Sequence, residues 1–144
     1  MATSAWNKFN DFSEQLVRGV HDFDANTFKI VLTNSAPTAA NTVLTDITQI
    51  ANGGGYTTGG ATTTISISET SGTTTVSGTE IVWTGSGAGF GPFRYAVLYN
   101  DSSTSPADAL IAWFDYGSAI SVGASETFTL KFNNASPGAM FTLV

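Results

Sequence analysis

The chain of 144 residues has no cysteine, a single histidine and few charged side chains, 5 basic and 11 acidic. The absence of cysteine excludes a disulfide framework, so the stability of the fold must come from burial. Proton transfer, nucleophilic attack and metal chemistry mostly use histidine, cysteine and charged residues, and their scarcity argues against catalysis. We therefore expect a binding or structural protein that is not an enzyme and has no catalytic residues, cofactor or metal.

Clustered positive charge and long apolar runs are also missing from the sequence. The net charge is −6, and the five basic residues lie far apart in the chain: Lys8, Arg18, Lys29, Arg94 and Lys131. A protein that binds a phosphate backbone needs clustered lysine and arginine, so no nucleic-acid partner is expected. No stretch approaches the ~18 apolar residues of a membrane span, and the N-terminus lacks the pattern of a signal peptide. We expect no membrane partner, and synthesis and folding in the cytosol.

The polar positions are filled by threonine, serine, asparagine and glycine, and only 11% of the residues are charged, against about 25% in a typical soluble chain. A surface of hydroxyls and amides is desolvated at lower cost than one of ammonium and carboxylate groups. Such a surface suits permanent contacts with other proteins. The threonine-rich exterior of an ordinary β-protein explains the composition equally well.

One segment has the periodicity of a helix. Between Ser4 and Gly19 large apolar residues recur every three or four positions, and Gly19 stands where helices commonly end. The members of this stripe are Trp6, Phe9, Phe12, Leu16 and Val20. The pattern predicts one short amphipathic helix or arm within residues 1–20. Its aromatic residues Trp6, Phe9 and Phe12 either close one end of the core or form an interface with a partner.

The rest of the chain alternates with a period of two, which is typical of β-strands. Strands are predicted at residues 27–33, 61–69, 73–84, 93–100, 109–116, 126–132 and 139–144. Residues 93–100 and 109–116 are apolar on both faces and should lie at the centre of a sheet. About seven strands with turn residues between them predict a mainly β fold, an antiparallel β-sandwich or jelly roll, in a single domain of residues 1–144.

The patterns that resemble catalytic or metal-binding motifs are incomplete. His21 is the only histidine, and no serine lies in a Gly-x-Ser-x-Gly elbow that would pair with it. Residues 22–26 match the first ligand positions of a calcium loop, but Thr27 and Thr33 replace the later glycine and glutamate. A turn built from Asp and Asn side chains is the better interpretation. The glycine-rich stretches at 53–60 and 85–91 lack the features of phosphate loops and are expected to be turns or loops.

Several aromatic residues could stack on sugars, as in a lectin-like domain. They are Trp83, Tyr95, Tyr99, Trp113 and Tyr116. Most of them stand at strand positions that are expected to be buried, so a role in the core is the favoured interpretation.

Five segments, in this order and spread over nearly the whole chain, resemble a group of small virion proteins of tailed bacteriophages. They are Trp6–Phe12, Gly19–His21, Phe28–Pro37, Gly55–Gly60 and Gly91–Asn100. Within that group the size, the lack of cysteine and the predicted jelly roll are most similar to a head decoration, or cement, protein.

This resemblance implies a structural protein of the virion that sits on the outer capsid surface and bridges capsid subunits. Its partner would be the major capsid protein, and it would act as a homo-oligomer, with a trimer favoured. The alternative is a tail or fibre component that recognises host glycans or another receptor. No catalytic residue is implied by the resemblance.

Overall fold

The computed structural model describes residues 2–144, and about half of them lie in β-strands. One α-helix, α1, spans Phe12–Val17, and a short 3-10 turn spans Leu44–Asp46. The strands are β1 (Asn7–Lys8), β2 (Phe28–Thr33), β3 (Ala61–Thr63), β4 (Ile65–Thr70), β5 (Thr73–Gly78), β6 (Ile81–Thr84), β7 (Phe90–Asn100), β8 (Leu110–Val122), β9 (Thr127–Leu130) and β10 (Gly138–Leu143). The prediction of a mainly β, antiparallel fold with one short helix is confirmed. Among the described residues no helix is long and apolar enough to cross a membrane.

The first layer is a five-stranded antiparallel sheet in the order β1-β8-β7-β2-β3. Strand β7 lies at its centre, between β8 and β2. Neighbouring residues of β7 point to opposite faces, and both Val97 and Leu98 are fully buried. Both faces of this strand are therefore covered, as its apolar pattern predicted.

The second layer consists of two short ladders, β10-β5-β4 and β6-β9. Gly78 of β5 pairs with Gly138, and shortly afterwards Ile81 of β6 pairs with Leu130. The two ladders therefore follow one another along the same pair of chain segments. Strand β3 belongs to the first layer, and the chain passes through Thr64 into β4 of the second. Two layers joined in this way are consistent with a β-sandwich, while the jelly-roll connectivity stays a prediction.

The core occupies both faces of the five-stranded sheet. The larger cluster fills the space between the layers and includes Phe28, Leu32, Trp83, Phe93, Leu98 and Phe132. A smaller cluster lies on the other face, where Ile47 from the segment between β2 and β3 contributes to a group with Phe9, Val31, Val97, Tyr99 and Leu110. Each such side chain contributes about 1.5–3 kcal/mol when it is fully buried.

The helix is much shorter than the predicted Ser4–Gly19 segment. Asn7 and Lys8 form β1 and pair with Trp113 and Ala112 of β8, so this part of the chain completes a sheet edge. Phe9 enters the smaller cluster while Phe12 enters the larger one. The spacing of three that predicted one helical face thus reflects two separate cores.

The predicted end of the helix at Gly19 is correct, and its geometry explains why. Gly19 has φ +77°, its N–H donates to the carbonyl of Leu16 at 3.1 Å, and the N–H of Val20 donates to that of Gln15 at 2.9 Å. These two bonds form the Schellman motif that closes many helices. A residue with a Cβ is strained at this φ, which is why glycine fits here.

Candidate functional site

A groove of about 820 Å³ is lined by residues of both layers of the sandwich. Its first-layer walls come from residues 93–96 of β7 and 114–116 of β8. The second layer contributes residues 127–134 and 139–140, and residues 2–4 of the N-terminal segment border the groove as well. The site therefore collects segments from both layers and from the N-terminus.

A large irregularity in β8 shapes this opening. Tyr95 of β7 pairs with Asp115, whereas Phe93, only two residues away, pairs with Ile120. Three extra residues of β8 must therefore leave the ladder, and residues 116–119 are all exposed. Bulges of this kind commonly redirect side chains at functional edges of a sheet. Here the bulge carries Tyr116 to the groove.

Aromatic rings form the apolar part of the groove. Phe93 is buried, and its ring meets that of Phe128 edge to face, with 4.9 Å between centroids. Tyr116 approaches the same Phe128 ring at 6.0 Å and remains 38% exposed. Phe114 and Phe132, which also line the groove, pack edge to face at 5.9 Å. Such edge-to-face contacts fix the positions of the rings.

An ion pair of Arg94 and Asp115 lies beside these rings. Nε of Arg94 donates to Oδ1 of Asp115 at 2.8 Å, and Nη2 donates to Oδ2 at 3.0 Å. The Arg94 guanidinium, together with the N–H of Gly117, lowers the pKa of the Asp115 carboxyl below its usual value. The guanidinium also lies 5.3 Å from the centroid of the Tyr95 ring. Two-point pairing of this kind holds both side chains in a defined orientation.

The other charged side chains of the groove also form a pair. Nζ of Lys131 lies 3.4 Å from Oε2 of Glu80. The lining contains two cationic and two anionic side chains, and each has its partner within the groove. The groove is therefore polar without net charge, although the whole chain carries −6.

The three residues predicted as an interface occupy different environments. Phe9 is fully buried and Phe12 is 5% exposed, so both contribute to the cores of the chain itself. Trp6 is only partly buried; it packs on Phe114 at 5.9 Å and on Phe141 at 5.5 Å, and it borders the groove. Of the three, Trp6 retains surface for another molecule, and its contact with a partner stays a prediction.

The aromatic residues that could stack on sugars are divided in the same way. Trp83 and Tyr99 are buried, and Trp113 packs on Phe9 at 4.7 Å. Tyr95 and Tyr116 line the groove. The sequence pattern singles out these two residues but does not bring them together, because the bulge in β8 leaves no period-two signal.

His21 is packed inside the structure and lies away from the residues that line the groove. It is 4% exposed and contacts the rings of Phe12 and Phe23, while its Nδ1 lies 3.3 Å from Nδ2 of Asn100. Nε2 has no hydrogen-bond partner among the described residues. Burial therefore lowers the pKa of His21 to about 4. This arrangement gives a neutral, structural imidazole at neutral pH.

The neighbouring acidic residues form the predicted turn. Oδ1 of Asp22 accepts hydrogen bonds from the N–H groups of Asp24 and Ala25, and Oδ1 of Asn26 accepts one from the N–H of Asp22. These bonds account for Asp22 and Asn26, two of the three side chains that matched part of a calcium loop. Within residues 2–144 no three side chains of histidine, aspartate or glutamate are grouped so that they could hold a metal ion.

Comparison of the chain with protein-family models, curated proteins and solved structures gives no match.

Proposed function

We propose that the chain is a structural protein of a tailed-bacteriophage virion, a decoration protein that bridges subunits of the capsid. Its partner is the major capsid protein, and it reaches the capsid surface after synthesis in the host cytoplasm. The proposal starts from the sequence resemblance, and the features that support it are the positions of the resembling segments and the open edges of the second layer.

The resembling segments lie together in three dimensions. Residues 28–33 form β2 and residues 91–100 lie in β7, and these strands pair along six residues at the centre of the first layer. The loop at 55–60 packs on them, with the hydroxyl of Tyr99 donating to the carbonyl of Gly59 at 2.7 Å. The resemblance therefore concerns a connected scaffold. Such a likeness supports the assignment to a class of protein. Because the scaffold residues are mostly buried, the residues that contact a partner must be identified from the surface.

Two open edges on opposite sides of the second layer carry the proposal. In the ladder β10-β5-β4 each outer strand pairs on one side only among residues 2–144. An open edge offers unpaired N–H and C=O groups to another chain. A protein that bridges two neighbours needs two contact surfaces that face in different directions, and these edges provide them.

The chemistry of β4 fits such a contact. Its sequence Ile-Ser-Ile-Ser-Glu-Thr has one charged residue, Glu69, and no proline. Ile67, a large apolar residue on this edge strand, is 46% exposed. Soluble proteins usually protect exposed edges with charged side chains, proline or a bulge, and of these β4 has only the charge of Glu69. Its hydroxyl-rich surface can be covered by a partner at a small desolvation cost.

The position in the particle can be tested by protein quantification. Densitometry of purified virions should give a copy number comparable with that of the major capsid protein, and a cryo-EM map of the head should show the sandwich over the capsid lattice. The oligomeric state, with a trimer favoured, can be measured by light scattering. A copy number of a few per particle would contradict the decoration role.

The contribution of the β4 edge is tested by adding the purified protein to heads that lack it. Ile67→Lys should reduce binding at least tenfold, because it places a charge on the edge. Val17→Lys is the matched control, since Val17 is 89% exposed on α1 and belongs to no strand edge. If Ile67→Lys bound the heads as well as the wild type, the β4 edge would not be part of the interface.

A tail or fibre component that recognises glycans is the second candidate. The observation that favours it is the groove with Tyr95 and Tyr116 beside the Arg94–Asp115 pair. Aromatic faces next to fixed polar groups are suited to sugar rings. The same densitometry separates the two candidates, because a fibre subunit is far less abundant than a capsid protein.

A further inference from the structure

The groove follows the edge of a strand. Successive side chains of a strand point to opposite faces, so a groove on one face is lined by every second residue. Here residues 127–134 all contribute to the lining without a gap. The groove therefore runs along β9 and the residues that follow it, where the backbone itself is accessible.

That edge is free to pair. Strand β9 is bonded to β6 on one side, and the part of the chain that the structure describes places no strand on its other side. Its residues Thr-Phe-Thr-Leu include neither a charge nor a proline. The only charged residue that follows closely, Lys131, is paired with Glu80. The strand is short, with four residues, but it has no proline, no charge and no bulge that would prevent another strand from adding to its edge.

The walls beside the free edge suit alternate apolar side chains. Phe93 and Phe114 of the first layer and Met140 of β10 line the groove. A strand that adds to an edge commonly gains affinity from main-chain hydrogen bonds and specificity from pockets for every second side chain. The aromatic rings provide such pockets along one face of an added strand.

The charges of the lining specify what can enter. Arg94 is paired with Asp115, and Lys131 is paired with Glu80. Because these pairs neutralise each other inside the groove, a charged segment would find no free counter-ion and would lose its hydration. An uncharged segment avoids this cost.

We propose that the groove accepts an extended, uncharged polypeptide segment of another molecule, which adds to the free edge of β9 as a strand. Alternate apolar side chains of this segment lie over Phe114 and Tyr116, two lining rings that keep exposed surface. The inference goes beyond the proposed function, since it depends on the groove alone and holds equally for a protein of the head or of the tail.

The test uses the full chain and a ribosome-displayed library of random seven-residue segments. Selection should enrich segments without Lys, Arg, Asp or Glu and with an apolar residue at every second position. In amide NMR spectra a selected synthetic peptide should shift the resonances of residues 127–130. N-methylation of alternate amides of that peptide should weaken binding at least tenfold, because it removes the main-chain hydrogen bonds on one edge.

Two variants locate the binding. Tyr116→Arg places a charge at the groove and should weaken binding of the selected peptide at least tenfold. Val82→Arg is the matched control: Val82 is 51% exposed on β6 and does not line the groove, so binding should be unchanged. Circular dichroism of both variants should match that of the wild type, because both replaced side chains are exposed.

Three outcomes would overturn the proposal. They are a selection without enrichment, an enrichment of charged segments, and peptide shifts that lie outside the groove. Titration with the neutral oligosaccharides maltohexaose and chitotetraose provides a further comparison. If these sugars shifted the groove resonances and no peptide were selected, the ligand of the groove would be a glycan and the proposal of a peptide would be wrong. A failure of the peptide test would leave the copy number in the virion unaffected, so it is distinguishable from a failure of the proposed function.

Discussion

Arg94 and Asp115 are joined by two hydrogen bonds, of 2.8 and 3.0 Å, at the point where β8 leaves its register with β7. Asp115 also accepts a hydrogen bond of 2.7 Å from the N–H of Gly117, and its own N–H donates to Oγ of Ser4 at 2.7 Å. Asp115 thus connects the central strand β7, through Arg94, with the bulge, through Gly117, and with the N-terminal segment, through Ser4. Asp115, Arg94 and Ser4 all line the groove, so these bonds hold three parts of its wall together.

Arg94→Gln should raise the pKa of Asp115 toward the ordinary value, because the guanidinium is the main cause of its lowering. A carboxyl whose pKa is lowered by folding stabilises the native state at neutral pH, and this contribution is lost as the pH falls through the native pKa. A ¹³C NMR titration of the carboxyl carbon measures the change. Lys131→Gln is the control, since it removes a different cation of the groove. An unchanged titration of Asp115 in Arg94→Gln would contradict the assignment.

The stability of the protein should decrease between pH 7 and pH 5 because of His21. Its pKa is about 4 in the native state, below the ordinary value of about 6.5 in an unfolded chain. The unfolded state therefore binds the proton first, and stability present above pH 6.5 is lost as the pH falls toward 4. The expected loss between pH 7 and pH 5 is about 2 kcal/mol. Urea unfolding at a series of pH values measures it.

His21→Phe should remove this pH dependence, because a phenyl ring can pack with Phe12 and Phe23 and takes up no proton. Nδ2 of Asn100 keeps two acceptors, the carbonyl of Val20 at 3.1 Å and Oδ1 of Asn26 at 2.8 Å. The chain has no other histidine. If the stability of His21→Phe decreased as steeply between pH 7 and pH 5 as that of the wild type, carboxyl groups would be the cause of the pH dependence.

Phe9→Ala should lower the free energy of unfolding by about 3–5 kcal/mol, since it removes a fully buried ring from a packed cluster. Val17→Ala changes a side chain that is 89% exposed and should stay within about 0.5 kcal/mol of the wild type. Urea denaturation of both variants checks the difference. If Phe9→Ala unfolded like the wild type, Phe9 would belong to a detachable arm and its interface role would regain support.

The strands and the central position of β7 were predictable because burial of one or both faces gives a regular pattern in the sequence. The extended segment at Asn7–Lys8 was not predictable, because two aromatic residues three positions apart, Phe9 and Phe12, satisfy a helical spacing while they enter different cores. The groove could not be predicted either. It depends on the register jump between Tyr95 and Phe93, and hydrogen-bond register across strands distant in sequence leaves no local signal.

The contact between the two glycine-rich loops gives the last prediction. The N–H of Ser86 donates to the carbonyl of Gly54 at 3.0 Å, and a Cβ on Gly54 would collide with the backbone carbonyl of Gly89. Gly54 has φ +63° and Gly87 has φ +56°, so alanine meets similar backbone strain at both positions. A Cβ on Gly87, however, would have open space around it.

Gly87→Ala should therefore cost about 1–2 kcal/mol, the strain of a left-handed residue alone. Gly54→Ala should cost about 1–3 kcal/mol more, because the backbone of the facing loop must move to admit the methyl group. Thermal and urea unfolding of the two variants measure the difference, which isolates the loop contact from the backbone strain. Equal costs for the two substitutions would mean that the loops separate easily. In that case the glycines of residues 53–60 and 85–91 would serve chain flexibility, and their close packing would contribute little to the stability of the sandwich.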